Sequence, residues 1–259
     1  MPADALPCRR VLLTNDDGID APGLQVLEEI AAALASEVWV VAPERDQSGT
    51  SHSVSLHAPL RVSDRGSRRY GVSGTPGDCV VMATRHLMQA APPDLILSGV
   101  NRGANLGVET VFSGTVGAAM TGLLMGIPSI ALSQAFTDRE AVRWQTARTL
   151  APPLLRRLLA QPWPAGACLN INFPDVEPAD AGPARITTQG VGLVQRIDVV
   201  AGVDPRAIPY YWLKFKRARI QDSDDSEAMV VLSGGVAVTP LRFERTDDAA
   251  LARLRQLHD

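Results

Sequence analysis

Two adjacent carboxylates, Asp16 and Asp17, follow the apolar run Val11-Leu12-Leu13 and precede Gly18. Side by side at a strand end they repel, so they call for a proton or a cation between them. A hard divalent ion, magnesium or manganese, suits carboxylate and amide oxygens. Taken alone, Asp-Asp-Gly is equally well a solvated turn. A second polar stretch, Glu44 to Ser53, follows Val38 to Val41 and Ala42-Pro43. Its hydroxyls, Ser48 among them, are partners for a metal or a phosphate, and Gly49 permits close backbone approach. His52 in the same stretch reads, by itself, as a hydrogen-bonded structural histidine.

The third stretch, Ser98 to Gly107, carries the most information. Asn101 offers a neutral oxygen to a metal, and Asn105 offers an amide to a phosphate. Phe112 to Ala119 then opens a helix on Ser113-Gly114-Thr115, whose N–H groups and hydroxyls form a ready anion site. No Gly-Lys-Ser/Thr occurs there, and the glycines at 99, 103 and 107 do not make GxGxxG. A Walker loop and a dinucleotide fold are thereby disfavoured. Each stretch has a bland reading as a tight or flexible loop. Three of them after three strands, with complementary chemistry, weaken it.

The elements that must position these loops alternate. Val11–Leu13, Val38–Val41, Asp94–Ser98, Ser129–Leu132 and Leu169–Phe173 read as buried strands. Between them, Leu24 to Leu34 follows a helical period, with Pro22 in its first turn. Thr75-Pro76-Gly77-Asp78 reads as a capped helix start leading into Val80–Ala90. Gly117–Met125 is a small-residue helix, and a long helical pattern runs from about Asp138 to Leu159. Pro152 and Pro153 inside it predict a kink or a break. Repeated β-α-β order predicts an α/β fold: a three-layer α/β/α arrangement on a mostly parallel, Rossmann-like sheet. Ligands in such folds bind beyond the carboxyl ends of the strands.

Past a Pro- and Ala-rich connection, Asp175 to Ala184, the pattern turns β-rich. Arg185–Thr188, Tyr210–Phe215, Met229–Leu232 and Val236–Leu241 read as strands, with Ser233-Gly234-Gly235 as a hairpin turn between the last two. Asp247–Leu257 reads as a terminal helix. The expected division is an α/β core over 1–184 and an oligomerising β-hairpin/helix arm over 185–259, within one domain overall.

Composition bounds the function. The 259 residues carry 25 Lys plus Arg against 28 Asp plus Glu, which argues against a protein that coats a nucleic-acid polymer. The three cysteines, Cys8, Cys79 and Cys168, show no metal-ligand spacing. Met1–Arg10 lacks the apolar core of a signal peptide, and no apolar run reaches the length of a membrane span. A reduced, cytoplasmic protein without membrane association is the expectation.

Several motifs in order along nearly the whole chain resemble the SurE family, the survival protein E nucleotidases. They are Thr14-Asn15-Asp16-Asp17-Gly18, Ala42-Pro43 through Ser48-Gly49, Ser73-Gly74-Thr75-Pro76, Ser98-Gly99-Val100-Asn101 and Ser113 through Ala119. Leu169 through Pro174, Tyr210-Tyr211-Trp212 and Val238 through Leu241 extend the match. The resemblance implies a metal-dependent phosphomonoesterase acting on nucleoside 5′- and 3′-monophosphates. It implies one divalent ion per subunit on Asp16, Asp17, Ser48 and Asn101. It implies phosphate contacts at Ser113, Gly114 and Thr115, with Asn105 at a further site-loop position, and a homodimer or homotetramer built partly through the arm. Asp16, Asp17 and Asn101 would be its catalytic residues. Two other classes stay open: a phosphate- or nucleotide-binding protein without turnover, and a metal-dependent nucleotide-sugar transferase. Thr121, Glu109, Thr188 and Lys214 depart from the family pattern of Glu, Asp, Arg and Gly at those places.

Overall fold

The computed structural model describes residues 6–218 and 222–257. The chain runs β1 (Cys8–Thr14), α1 (Pro22–Ala32), β2 (Ala35–Pro43), β3 (Val62–Asp64), β4 (Arg69–Val72), α2 (Pro76–Met82), β5 (Leu95–Arg102) and α3 (Gly114–Leu124). It continues through β6 (Ser129–Gln134), α4 (Trp144–Leu159), β7 (Cys168–Phe173), β8 (Ala184–Ile186), β9 (Val194–Val203), β10 (Pro209–Arg217), α5 (Glu227–Leu232), β11 (Val236–Leu241) and α6 (Asp248–Arg255).

Nine strands form one sheet in the order β3-β4-β2-β1-β5-β6-β7-β11-β8. The pairings from β4 through β7 are parallel, while β3 and β11 run antiparallel to β4 and β7. Period-2 alternation sends successive side chains to opposite faces. Val11, Leu13, Leu95 and Leu97 pack with Leu24, Leu27, Ile30, Ala147 and Leu155, which puts α1 and α4 on one face. Leu12 and Ile96 pack with Val80, Ala83 and Ala118, which puts α2 and α3 on the other. Each large aliphatic side chain so buried contributes roughly 1.5–3 kcal/mol.

This order fixes where ligands go. From β1 the chain moves outward to β2 and β4 on one side, then returns to place β5 on the other side of β1. The crevice beyond β1 and β5 is therefore the switch point of the sheet, the usual ligand site of open α/β folds.

The local signals held at the helix starts. Thr75 accepts from Asp78 N while Asp78 Oδ2 accepts from Thr75 N, a complete capping box. Ser113 Oγ accepts from Val116 N at 3.0 Å and caps α3.

Four expectations require correction. Met229–Leu232 is helix, not strand: Ser226 caps it by accepting from Met229 N, and Gly234, at φ +87°, ends it. Ser233-Gly234-Gly235 is thus a helix exit with Gly235 N donating to Val230 O, not a hairpin turn. Four consecutive apolar residues read alike in either period; the cap at Ser226 was the missed signal. The helix expected from Asp138 starts at Trp144 and runs through Pro152 and Pro153 without a break. Pro153 is exposed and Pro152 half-buried, so neither ring sits in the core, which α4 meets through Ala147, Ala151, Leu154 and Leu155. Finally, not all of 185–259 is arm, because β8 and β11 are strands of the main sheet. What leaves the sheet is the antiparallel ribbon β9–β10.

Candidate active site

Three loops meet at the switch point. Asp16 is buried just past β1, and its backbone carbonyl accepts from Gln47 N at 2.7 Å, which draws the Ser48 loop in from β2. Asp17, half-buried, accepts at Oδ2 from Arg102 N at 3.0 Å, which ties in the end of β5. Asn101 precedes Arg102, beyond a register shift between Ser98 and Asn101 in the β5–β6 ladder. Its Nδ2 donates to Gly103 O at 2.7 Å, so its amide oxygen is the atom left for a cation. Ser48 is exposed, with its N–H held by Asp46 Oδ1 at 2.8 Å.

The start of α3 closes the site. Thr115 Oγ1 donates to Asp16 Oδ1 at 2.5 Å. Gly114 lies so close that a Cβ there would stand 2.7 Å from Asp16 Cβ and 2.9 Å from its Oδ2. Glycine is required at this place by the contact alone. The positive end of the α3 dipole therefore abuts the carboxylate pair.

The electrostatics follow from burial. Asp16 is pushed up to about 6, first by desolvation, with the Thr115 hydrogen bond opposing and the Asp17 charge adding. Asp17 is also raised, chiefly by burial, against the pull of the Arg102 N–H and guanidinium. Asn15 Oδ1, next to the pair in the chain, and Ser98 Oγ, opposite Thr14 in the β1–β5 ladder, are buried with no partner among the described residues. Two adjacent carboxylates and neutral oxygens from Ser48 and Asn101 fit a hard divalent cation. Among the described residues no cluster of three or more His, Cys, Asp or Glu exists. Such a site would thus rest on two carboxylates, a hydroxyl and an amide, not on a carboxylate cage.

Asn105 departs from the expectation of a phosphate contact. Its Nδ2 donates to Ser133 Oγ at 2.9 Å, its N to Asn172 Oδ1, and its carbonyl accepts from Asn170 and Asn172. It is knitted into a buried polar cluster that ends on Glu227, which accepts from Gly107 N, Thr239 Oγ1 and Asn170 Nδ2. Glu227 is fully buried. Sequence reasoning missed it because its segment read as β-rich and its partners lie far off in the chain.

Three comparisons bear on this site. The family model described as Survival protein SurE matches residues 11–196. The chain is 63% identical over 246 residues to 5′-nucleotidase SurE 1 of Burkholderia lata, covering 95% of each chain. It is 47% identical over 249 residues to 5′-nucleotidase SurE of Methylobacterium radiotolerans, covering 95% of this chain and 98% of that one. Its fold is similar to the crystal structure of the SurE protein from Aquifex aeolicus, with a TM-score of 0.82, 34% identity, and 96% and 100% of the two chains covered. With the model match spanning most of the chain and these relatives aligned nearly end to end, the chain belongs to the SurE family.

Proposed function

We propose that the chain is a metal-dependent phosphomonoesterase that hydrolyses nucleoside monophosphates, the 5′-monophosphates foremost, to nucleoside and phosphate. Asp16, Asp17, Ser48 and Asn101 hold one magnesium or manganese ion per subunit, and Ser113, Gly114 and Thr115 hold the phosphate. The observation that carries this reading is the contact of Asp16 with the first turn of α3, through the Thr115 hydroxyl and Gly114. On this reading it brings the carboxylates that would hold the cation beside the turn that would hold the phosphate, the arrangement that a phosphate monoester bound through a metal needs. The naming of two aligned relatives as 5′-nucleotidases supports the substrate class.

When bound, the ion supplies Lewis acidity and a template for in-line displacement. The chain's own groups do the rest. The start of α3 faces the phosphoryl oxygens and stabilises their charge in the transition state. Val116 N is satisfied by Ser113 Oγ, Ser113 N by Thr110 O, and Thr115 N faces Asp16, so Gly114 N is the group of the turn left to serve. Asp16 is clamped between Thr115 and Gly114, which suits it to hold and not to attack; water is the attacking group. Phosphorus gains a bond to that water oxygen and loses its bond to the nucleoside oxygen, while the water gives up a proton and the nucleoside oxygen gains one to leave as a hydroxyl.

The test is phosphate release from adenosine 5′- and 3′-monophosphate in manganese, abolished by EDTA and restored by added metal. Nucleotide binding without release would make this a binding protein, and consumption of a nucleotide sugar would make it a transferase. Incorporation of labelled phosphate into the protein would move the attack to Asp16.

The ribbon β9–β10 supports assembly with further copies of this chain. Leu213 is 76% exposed, and by register Val199, Val203 and Tyr211 are exposed on the same face. So large an apolar surface marks an interaction face. Sedimentation should find dimers or tetramers, and monomers alone at micromolar concentration would refute this. No helix among the described residues is long and apolar enough to cross a membrane. Cys8, Cys79 and Cys168 are buried free thiols, which supports a reducing, cytoplasmic setting.

A further inference from the structure

A cavity of about 440 Å³ lies beside the start of α3, within the roughly 300–1,000 Å³ usual for small-ligand sites. Val111, before the Ser113–Thr115 turn, and Val116 and Met120, after it, form one wall. Leu241, Gln189 and His52 line the rest, with Arg242 and Arg245 also contributing. Residues on both sides of the phosphate-facing turn thus line one hollow. Val116 and Met120 stack one helical turn apart on the same face.

His52 is the polar feature that calls for a ligand. Its loop is seated on α3, since Gly117 packs against Ser51 O and the His52 backbone. Ser51 N donates to Phe112 O and Ser51 Oγ donates to Val111 O. That hydroxyl has spent its proton, so it accepts at 3.3 Å from His52 Nδ1, which must carry the hydrogen. In this tautomer Nε2 is a bare acceptor. It is buried and has no partner among the described residues. Gln189 adds to this polarity. Its Nε2 donates to Gly107 O at 2.9 Å and Thr110 Oγ1 at 2.8 Å, leaving its amide oxygen as a second acceptor. Burial and the nearby Arg245 charge both hold the imidazole neutral. A ligand that fits has a flat apolar body and one or more N–H or O–H donors. A nucleoside has both.

We propose that this cavity is the nucleoside subsite, with His52 Nε2 accepting a hydrogen bond from the base. The proposal rests on the phosphomonoesterase reading for the place of the phosphate, and it adds where the remainder of the substrate lies.

Adenosine, which carries no phosphate, reads the subsite separately from catalysis. Titrated into the full chain, it should bind, and His52→Ala should weaken it about tenfold, the value of one lost hydrogen bond to a polar ligand group. His52→Gln, which keeps an acceptor, should recover part of that loss. Val111→Trp should block the cavity from a second side. In turnover, His52→Ala should lower the ratio of kcat/KM for adenosine 5′-monophosphate over ribose 5-phosphate by a similar factor. No adenosine binding by the parent, or equal binding by parent and both cavity variants, overturns the proposal. So does an equal loss on both substrates, which would place His52 at the phosphate. A parent that binds adenosine but releases no phosphate from any monoester would keep this subsite and remove the phosphomonoesterase reading instead.

Discussion

The Thr115 hydroxyl donates a 2.5 Å hydrogen bond to the Asp16 carboxylate across 99 residues of chain. It fixes the end of β1 against the first turn of α3, so the proposed cation and phosphate sites share one wall. Thr115→Val keeps the shape and removes the donor. The buried carboxylate then loses its hydroxyl donor and keeps only backbone N–H groups, at about 1 kcal/mol. Metal affinity and activity should fall about 10–100-fold, as when a ligand's orienting partner is lost. Manganese titration and phosphate release check this; parental values for both would show that the contact orients nothing.

Asp17→Asn tests the cation site itself. An asparagine oxygen can still accept from Arg102 N, so the loop stays tied. One of two adjacent negative charges is removed, and repulsion in the metal-free protein falls with it. The expected outcome is a metal-free melting temperature equal to or above the parent's, no rise in it on adding manganese, and phosphate release near background. Parental turnover by this variant would refute the assignment.

Much of this site was legible in the sequence because its determinants are local. Asp16-Asp17-Gly18, the Thr75 cap and Ser113-Gly114-Thr115 each state their geometry within a few residues. The mostly parallel sheet, with loops at the carboxyl ends of its strands, followed from β-α-β repetition; the strand order that makes β1 and β5 the switch point did not. What was hidden depends on distant partners. Asn105 reads as a free amide, yet Ser133, Asn170 and Asn172 claim it from two other strands. Met229 to Leu232 is too short and too uniformly apolar to reveal its period. Val194 to Val203 went unread as a strand because, exposed on both faces, it lacks the alternation that burial imposes.

Glu227 gives the chain a pH dependence. Burial raises its carboxyl above the ordinary value of 4.5, opposed by hydrogen bonds from Thr239, Gly107 and Asn170. The fold therefore holds this proton more tightly than the unfolded chain does. Below 4.5 both states are protonated and nothing is lost; as pH rises above it, stability declines until the raised value is passed. Glu227→Gln has no such proton. Urea midpoints measured from acid to neutral pH should fall more steeply for the parent than for the variant. A gap between them that stays constant with pH would mean that Glu227 ionises without penalty.

The base of the β9–β10 ribbon is pinned to the segment that leads into α3. Arg217 Nη2 lies 2.8 Å from Glu109 Oε2, Leu193 N donates to Glu109 Oε1 at 3.2 Å, and Phe215 meets Phe112 at 5.5 Å between ring centroids. The two sides of the ion pair are unequal: the Glu109 side chain is 8% exposed and that of Arg217 is 55%. Removing Arg217 leaves a buried carboxylate with only the Leu193 N–H, whereas Glu109→Gln leaves an exposed guanidinium in water and keeps an acceptor for Leu193. Losing the partner of a buried charge is the more damaging change. Arg217→Ala should therefore destabilise the chain more than Glu109→Gln does, by about 1–2 kcal/mol. It should also speed proteolytic cleavage within 191–218 before the core unfolds, since local opening needs less free energy than global unfolding. Equal melting temperatures and equal cleavage rates for the two variants would show that the ribbon is held by Phe112 and Phe215 alone.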